Sequence, residues 1–145
     1  MANYLYTITI PQRGIIENGF HHPIYKQESR TSKTTGVIQP RRAKYSLTAK
    51  HMIILDSIEN MILHWSDINK LEVDGKTYYN IAYAKIISEN PFIKISKTRL
   101  FHSLKTLEIF GLLKLKDPDY SLNRTYMRLG DKNYLLHYFD PSVNK

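Results

Sequence analysis

Between Lys94 and Lys116 the chain reads KISKTRLFHSLKTLEIFGLLKLK, and the spacing of its apolar residues leaves little choice of local fold. At about 100° per residue, Leu100, Leu104, Leu107 and Phe110 share one face of a helix. Thr98, Arg99, His102, Lys105 and Thr106 fall opposite. Ser96 is a good N-cap, because a serine hydroxyl accepts a free N–H of the first turn. Gly111 is a natural terminator, because glycine enters the left-handed region at little cost. The pattern predicts a helix from about Lys97 to Phe110. Its first turns carry Lys97, Arg99, His102 and Lys105 and no acid. After it come LLKLK, a polar turn DPDYSLN and RTYMRL. Two alternating runs around a polar tip predict a β-hairpin.

Upstream, SLTAKHMIILDSIENMILHW predicts a long helix capped by Ser46 or Thr48. Its wide apolar face suits burial against both a core and a second subunit, or plain burial inside one domain. Asp74-Gly75 between two β-prone runs signals a hairpin. NIAYAKIISENP predicts a short helix capped by Asn80 and ended at Asn90-Pro91, because the residue before proline avoids the helical region. GDKNYLLHYF predicts a short terminal helix capped by Asp131. At the start, YLYTITI alternates like a strand, PQRGIIENGFHHP is rich in turn residues, and residues 26–44 read as a mobile basic arm or linker. The division expected is an N-terminal extension and basic arm at 1–44, one domain at 45–139 and a tail at 140–145.

Charge narrows the functions. The chain of 145 residues carries a formal +8. Residues 1–46 hold seven Lys/Arg against two acids, residues 47–80 are net −2, and residues 94–105 hold four cations and no acid. Such an uneven distribution suits a polyanionic partner on one face; a merely basic protein is the plain alternative. There is no cysteine, which excludes disulfides and thiolate metal sites and fits a reducing compartment. The longest apolar cluster, MIILDSIENMIL, is interrupted by Asp56 and Glu59, so no membrane span is expected. The opening residues lack a basic head and apolar run, so no secretory signal is expected and the cytoplasm is the expected location. The six histidines do not have metal-type spacing, and no phosphate loop, nucleophile elbow or carboxylate pair is visible. The expectation is a non-enzyme without metal or cofactor.

The order helix, hairpin, helix, turn, helix, strand, loop, strand, helix resembles a winged helix-turn-helix domain, an α+β fold, over residues 45–139. ISKTRLFHSLKTLEIFGLLKLK resembles the recognition helix and first wing strand of that family, with Leu107-Glu108 and Gly111-Leu112-Leu113 similar to its Leu-Glu-x-x-Gly-Leu ending. LNRTYMRLGDKN is similar to the second wing strand and following helix start of MarR-type regulators. YSLTAKHMIILDSI is similar to the first helix of plasmid and phage replication-initiator winged helices. Two features depart from the MarR pattern: the terminal helix is short, and the wing tip carries Asp117 and Asp119.

The resemblance implies sequence-specific binding of double-stranded DNA, with transcriptional regulation as a homodimer as the first expectation. Replication initiation or partition for a plasmid or phage is the second. A protein-interaction module without DNA binding is the third, because fold does not fix function. A helix of this kind enters the major groove, where each base pair shows its own donors and acceptors. Arg99 suits guanine, Lys97 and Lys105 suit phosphates, and Ser96, Thr98, His102 and Thr106 suit either. Arg124 and Arg128 are candidate wing contacts, and Arg41 and Arg42 candidate arm contacts. Each has a plainer reading: Ser96 as a cap, Lys97, Lys105 and His102 as solvated side chains, Arg124 and Arg128 as partners of Asp117 or Asp119, and the arm as a linker. Tyr78, Tyr79 and Tyr83 read as packing residues rather than base-stacking ones.

Overall fold

In chain order the backbone forms α1 (Gln12–Glu17), β1 (Ile24–Thr31), β2 (Ile38–Tyr45), α2 (Ala49–His64), β3 (Lys70–Val73), β4 (Lys76–Ala82), α3 (Tyr83–Glu89), a 3-10 turn (Pro91–Ile93), α4 (Lys97–Ile109), β5 (Leu113–Lys116), β6 (Arg124–Leu129) and α5 (Tyr134–His137). This computed structural model describes residues 11–31, 33–65, 68–117 and 123–137. The strand expected over YLYTITI, the expected wing tip with Asp119 and the expected tail at 140–145 lie outside the described residues. The class is mixed α+β with antiparallel sheets: a two-stranded β1-β2 ribbon and a four-stranded sheet in the order β3-β4-β6-β5.

Helix α4 is held as its spacing requires. Leu100, Leu104 and Leu107 are fully buried and Phe110 nearly so. Each such burial contributes about 1.5–3 kcal/mol, so these residues orient the helix. Ser96 Oγ accepts from the Arg99 N–H at 3.2 Å. At the other end Gly111 takes φ +76°. Its N–H reaches Glu108 O at 2.9 Å, and the Leu112 N–H reaches Leu107 O at 3.0 Å. This paired closure satisfies two carbonyls that the helix leaves open, and it turns the chain directly into β5.

The sheet is assembled from the two expected hairpins. β3 and β4 are joined by the two-residue turn Asp74-Gly75, both at positive φ. β5 and β6 pair from Leu113↔Leu129 to Lys116↔Tyr126. β4 lies on the other side of β6. The core runs between this sheet and the helices: Met52, Ile54, Leu55, Ile58 and Met61 from α2, Tyr83 and Ile86 from α3, Met127 from β6 and Leu136 from α5. Much of the apolar face of α2 is thus consumed inside the chain, and Leu63 is left exposed. Helix α2 begins after Thr48, whose N–H donates to His51 Nδ1 at 2.9 Å; of the two candidate caps, Thr48 is the one used.

Four expectations are corrected. The expected mobile arm or linker at 26–44 is corrected: residues 26–31 and 38–44 are strand residues of the β1-β2 ribbon, paired from Ile24↔Tyr45 to Thr31↔Ile38. PQRGIIE is a helical turn rather than a loop, and it docks on the C-terminal segment, where Asn18 Nδ2 donates to Leu135 O at 2.8 Å. Phe20, just after it, belongs to the common core. Asn80 does not cap α3; it sits in β4 opposite Tyr126, and the helix starts three residues later. Asp131 does not cap α5, which begins at Tyr134; its carboxylate faces Arg128 instead. The expected helix end at Asn90-Pro91 is observed, followed by the 3-10 turn and Lys94 at φ 43°.

Candidate nucleic-acid interface

Three chain segments meet at the start of α4. The Lys97 ammonium donates to Asn123 Oδ1 at 2.9 Å, and Asn123 O accepts the Tyr83 N–H at 2.9 Å. The first turn of α3, the first turn of α4 and the base of β6 therefore share one corner of the molecule. Beneath this corner the Tyr83 hydroxyl and Thr125 Oγ1 are hydrogen-bonded in the core. That bond ties α3 to β6 from the inside.

Along α4, Ser96, Thr98, Arg99 and His102 are exposed and Lys97 is half-buried. They stand on a helix whose opposite face cannot move without uncovering its leucines. Lys105 is also at the surface, but its ammonium lies 3.5 Å from Glu108 Oε1. Part of its charge is therefore already matched.

Thr106 is a correction. It retains 8% of its exposure, and its hydroxyl donates back to His102 O at 3.0 Å. It lies two turns beyond Arg99 and so shares its azimuth. Arg99, in the first turn, is exposed, whereas Thr106, at the same azimuth, is buried. Thr106 offers nothing to a ligand.

The wing candidates also divide. Arg124 is exposed at the base of β6. Arg128 is a second correction: its side chain keeps only 14% of its exposure, and it donates to Leu129 O at 3.1 Å and to Asp131 Oδ1 at 3.3 Å. Its guanidinium lies 5.6 Å from the centre of the Tyr78 ring. Arg128 is spent on holding the end of β6, not on a ligand. Asp117 pairs with Lys116 at 3.1 Å. Tyr78 and Tyr83 are buried and Tyr79 half-buried, as packing residues.

One contributor has no signal in the sequence. Lys85 is exposed on α3, with its ammonium 5.3 Å over the Trp65 ring. It shares an open cleft of about 180 Å³ with Arg124, Trp65 and Asn80. Neither spacing nor composition distinguishes Lys85 from a solvated lysine; only the pairing of β4 with β6 brings it beside Arg124. The basic side chains of this corner are therefore Lys97, Arg124 and Lys85, and Thr98, Arg99 and His102 are exposed along the first half of α4. Arg41 and Arg42 are exposed on β2.

Among the described residues no helix is long and apolar enough to cross a membrane. No protein-family model matches the chain, and no curated protein sequence or solved structure is significantly similar to it.

Proposed function

We propose that the protein is a winged helix-turn-helix that binds double-stranded DNA in a sequence-specific way, with α4 in the major groove, and that it regulates transcription as a homodimer. The observation that carries this reading is the exposed, acid-free first half of α4 (Ser96, Thr98, Arg99 and His102), set on a helix whose other face is wholly buried. The element order α2-β3-β4-α3-α4-β5-β6-α5, with β6 between β4 and β5, supports the wing. Lys97, Lys85 and Arg124 flank the helix start and suit backbone phosphates, which position such a protein without reading sequence. Arg99 suits a guanine edge. In a homodimer the two copies of α4 would read half-sites about 34–36 Å apart.

A second reading keeps the DNA contact and changes the task to replication initiation for a plasmid or phage. It is favoured by the likeness of YSLTAKHMIILDSI to the first helix of such initiators, a segment that runs into the 16-residue α2. Sites selected from a random pool separate the two: a site at a promoter favours regulation, and iterated sites at an origin favour initiation.

The test is fluorescence anisotropy of the protein with a mixed-sequence duplex at several salt concentrations. About five phosphate contacts give a log–log slope near −4.5. Loss of affinity in Arg99→Ala combined with Lys105→Ala assigns the contact to α4. No binding at low salt removes the DNA reading and leaves a protein partner for the basic corner.

A further inference from the structure

The β1-β2 ribbon is the most cationic part of the chain. Residues 24–45 hold six Lys/Arg and one acid, Glu28, so they supply +5 of the total +8. Only its base is covered: Ile24 and Tyr45 pack against the core, and Ala43 is buried. Residues 25–29, 31, 38–42 and 44 are exposed. A lone two-stranded hairpin is marginal in water. A ribbon this long with an uncovered face is built to lie against something.

The register separates its faces. Side chains alternate along a strand, and cross-strand partners share a face. One face holds Ile24, Lys26 and Glu28 opposite Tyr45, Ala43 and Arg41. It is the face that leans on the core. Its acid is held by the Tyr45 hydroxyl, and the bond to Glu28 raises the pKa of that hydroxyl. The other face holds Tyr25, Gln27, Ser29 and Thr31 opposite Lys44, Arg42, Pro40 and Ile38. All eight are exposed, and none is acidic. The Arg42 guanidinium is stacked 4.2 Å over the Tyr25 ring, which orders a charge that would otherwise swing freely.

We propose that this second face of the ribbon is a separate duplex-DNA contact, seated in the major groove. The inference rests on the DNA reading above and adds a second element to it. The physical fit is direct. The major groove, about 12 Å wide, admits a two-stranded β-ribbon. Eight residues extend about 27 Å at 3.4 Å each, less than one helical turn of DNA. Arg42 and Lys44 meet phosphates, and Gln27, Ser29 and Thr31 offer hydrogen bonds to base edges. Ile38, 66% exposed towards the tip, offers apolar contact to a thymine methyl. A protein strand added to the edge of β2 fits less well, because Pro40 has no N–H to give it.

The experiment compares two charge-deleted variants with the full chain in the same salt titration on a duplex. Arg42→Ala/Lys44→Ala removes two cations from the outward face, and Lys26→Ala/Arg41→Ala removes two from the inward one. With about 0.9 of slope per phosphate, the outward variant is expected to flatten the log–log slope by about 2. The inward variant is expected to change it by less than half as much. The charge-preserving Arg42→Lys/Lys44→Arg keeps the original slope, which separates lost charge from a collapsed ribbon. Equal flattening by both deletions reduces the effect to net charge and overturns the proposal. An unchanged slope with full binding overturns the ribbon contact and leaves the α4 reading standing. A wild-type chain that does not bind duplex DNA overturns both.

Discussion

Glu108 Oε2 accepts the backbone N–H of Leu115 at 2.8 Å, so the last turn of α4 is fastened to the strand that follows it. β5 is the edge strand of its sheet. An outward N–H on an edge strand has no ladder partner, and Glu108 supplies one. The same carboxylate lies near Lys105. Glu108→Ala is expected to destabilise the protein by about 1.5–3 kcal/mol, since a hydrogen bond to a charged group is worth roughly that much. Urea denaturation checks it; an unchanged midpoint with an unchanged m-value would show the bond to be idle.

The Tyr83–Thr125 bond joins α3 to β6 inside the core. Tyr83→Phe leaves the Thr125 hydroxyl buried without its partner, which is expected to cost about 1–3 kcal/mol. Thr125→Val alone should cost a similar amount. The double variant should cost clearly less than the two singles together, because it leaves neither group orphaned. Strict additivity in thermal unfolding would argue that the two hydroxyls do not depend on each other.

His51 makes stability depend on pH. Burial lowers its pKa below the ordinary value near 6.5. Its Nδ1 accepts the Thr48 N–H, which requires the neutral ring. The unfolded chain therefore binds the proton more readily, and stability rises with pH across that window. The contribution is complete above about pH 6.5 and is lost as the pH falls through the folded value. Tm is expected to drop on going from about pH 7.5 to about 5.5, and His51→Gln to flatten that drop while keeping a capping acceptor. Parallel pH profiles for the two proteins would assign the dependence to other groups.

Arg99 and Thr106 share a helix face but differ in access. Arg99→Ala is expected to weaken specific duplex binding by roughly tenfold or more, the scale of one base contact. Thr106→Val is expected to leave affinity unchanged. Arg124→Ala should weaken all sequences about equally, as a phosphate contact does. Anisotropy on a selected site and on a scrambled one reads all three; a Thr106→Val defect as large as that of Arg99→Ala would contradict the burial of Thr106.

How much of this was written in the sequence depends on what each segment buries. α4 was legible to within a residue, because its leucine spacing, the Ser96 cap and Gly111 agree with one another. The Asp74-Gly75 hairpin and the β5-β6 pair were legible for the same reason: turn chemistry and apolar alternation point one way. The β1-β2 ribbon was not. Apart from its base it buries no apolar face, so its strands show no alternation, and polar, basic residues look like a linker when only composition is read. The helical turn at Gln12–Glu17 was hidden by Gly14, which reads as a breaker until the helix is docked against the C-terminal segment.

The site divides along the same line. By itself the sequence determined which face of α4 is apolar and that its first turns are free of acid, because helical periodicity is a local property. Tertiary structure alone decided access. Thr106 is covered while Arg99, at the same azimuth, is open. Arg128 is drawn in by Asp131 and Tyr78, and Lys85 is brought beside Arg124 by strand pairing. These outcomes depend on neighbours distant in the chain, and no periodicity within a segment encodes them.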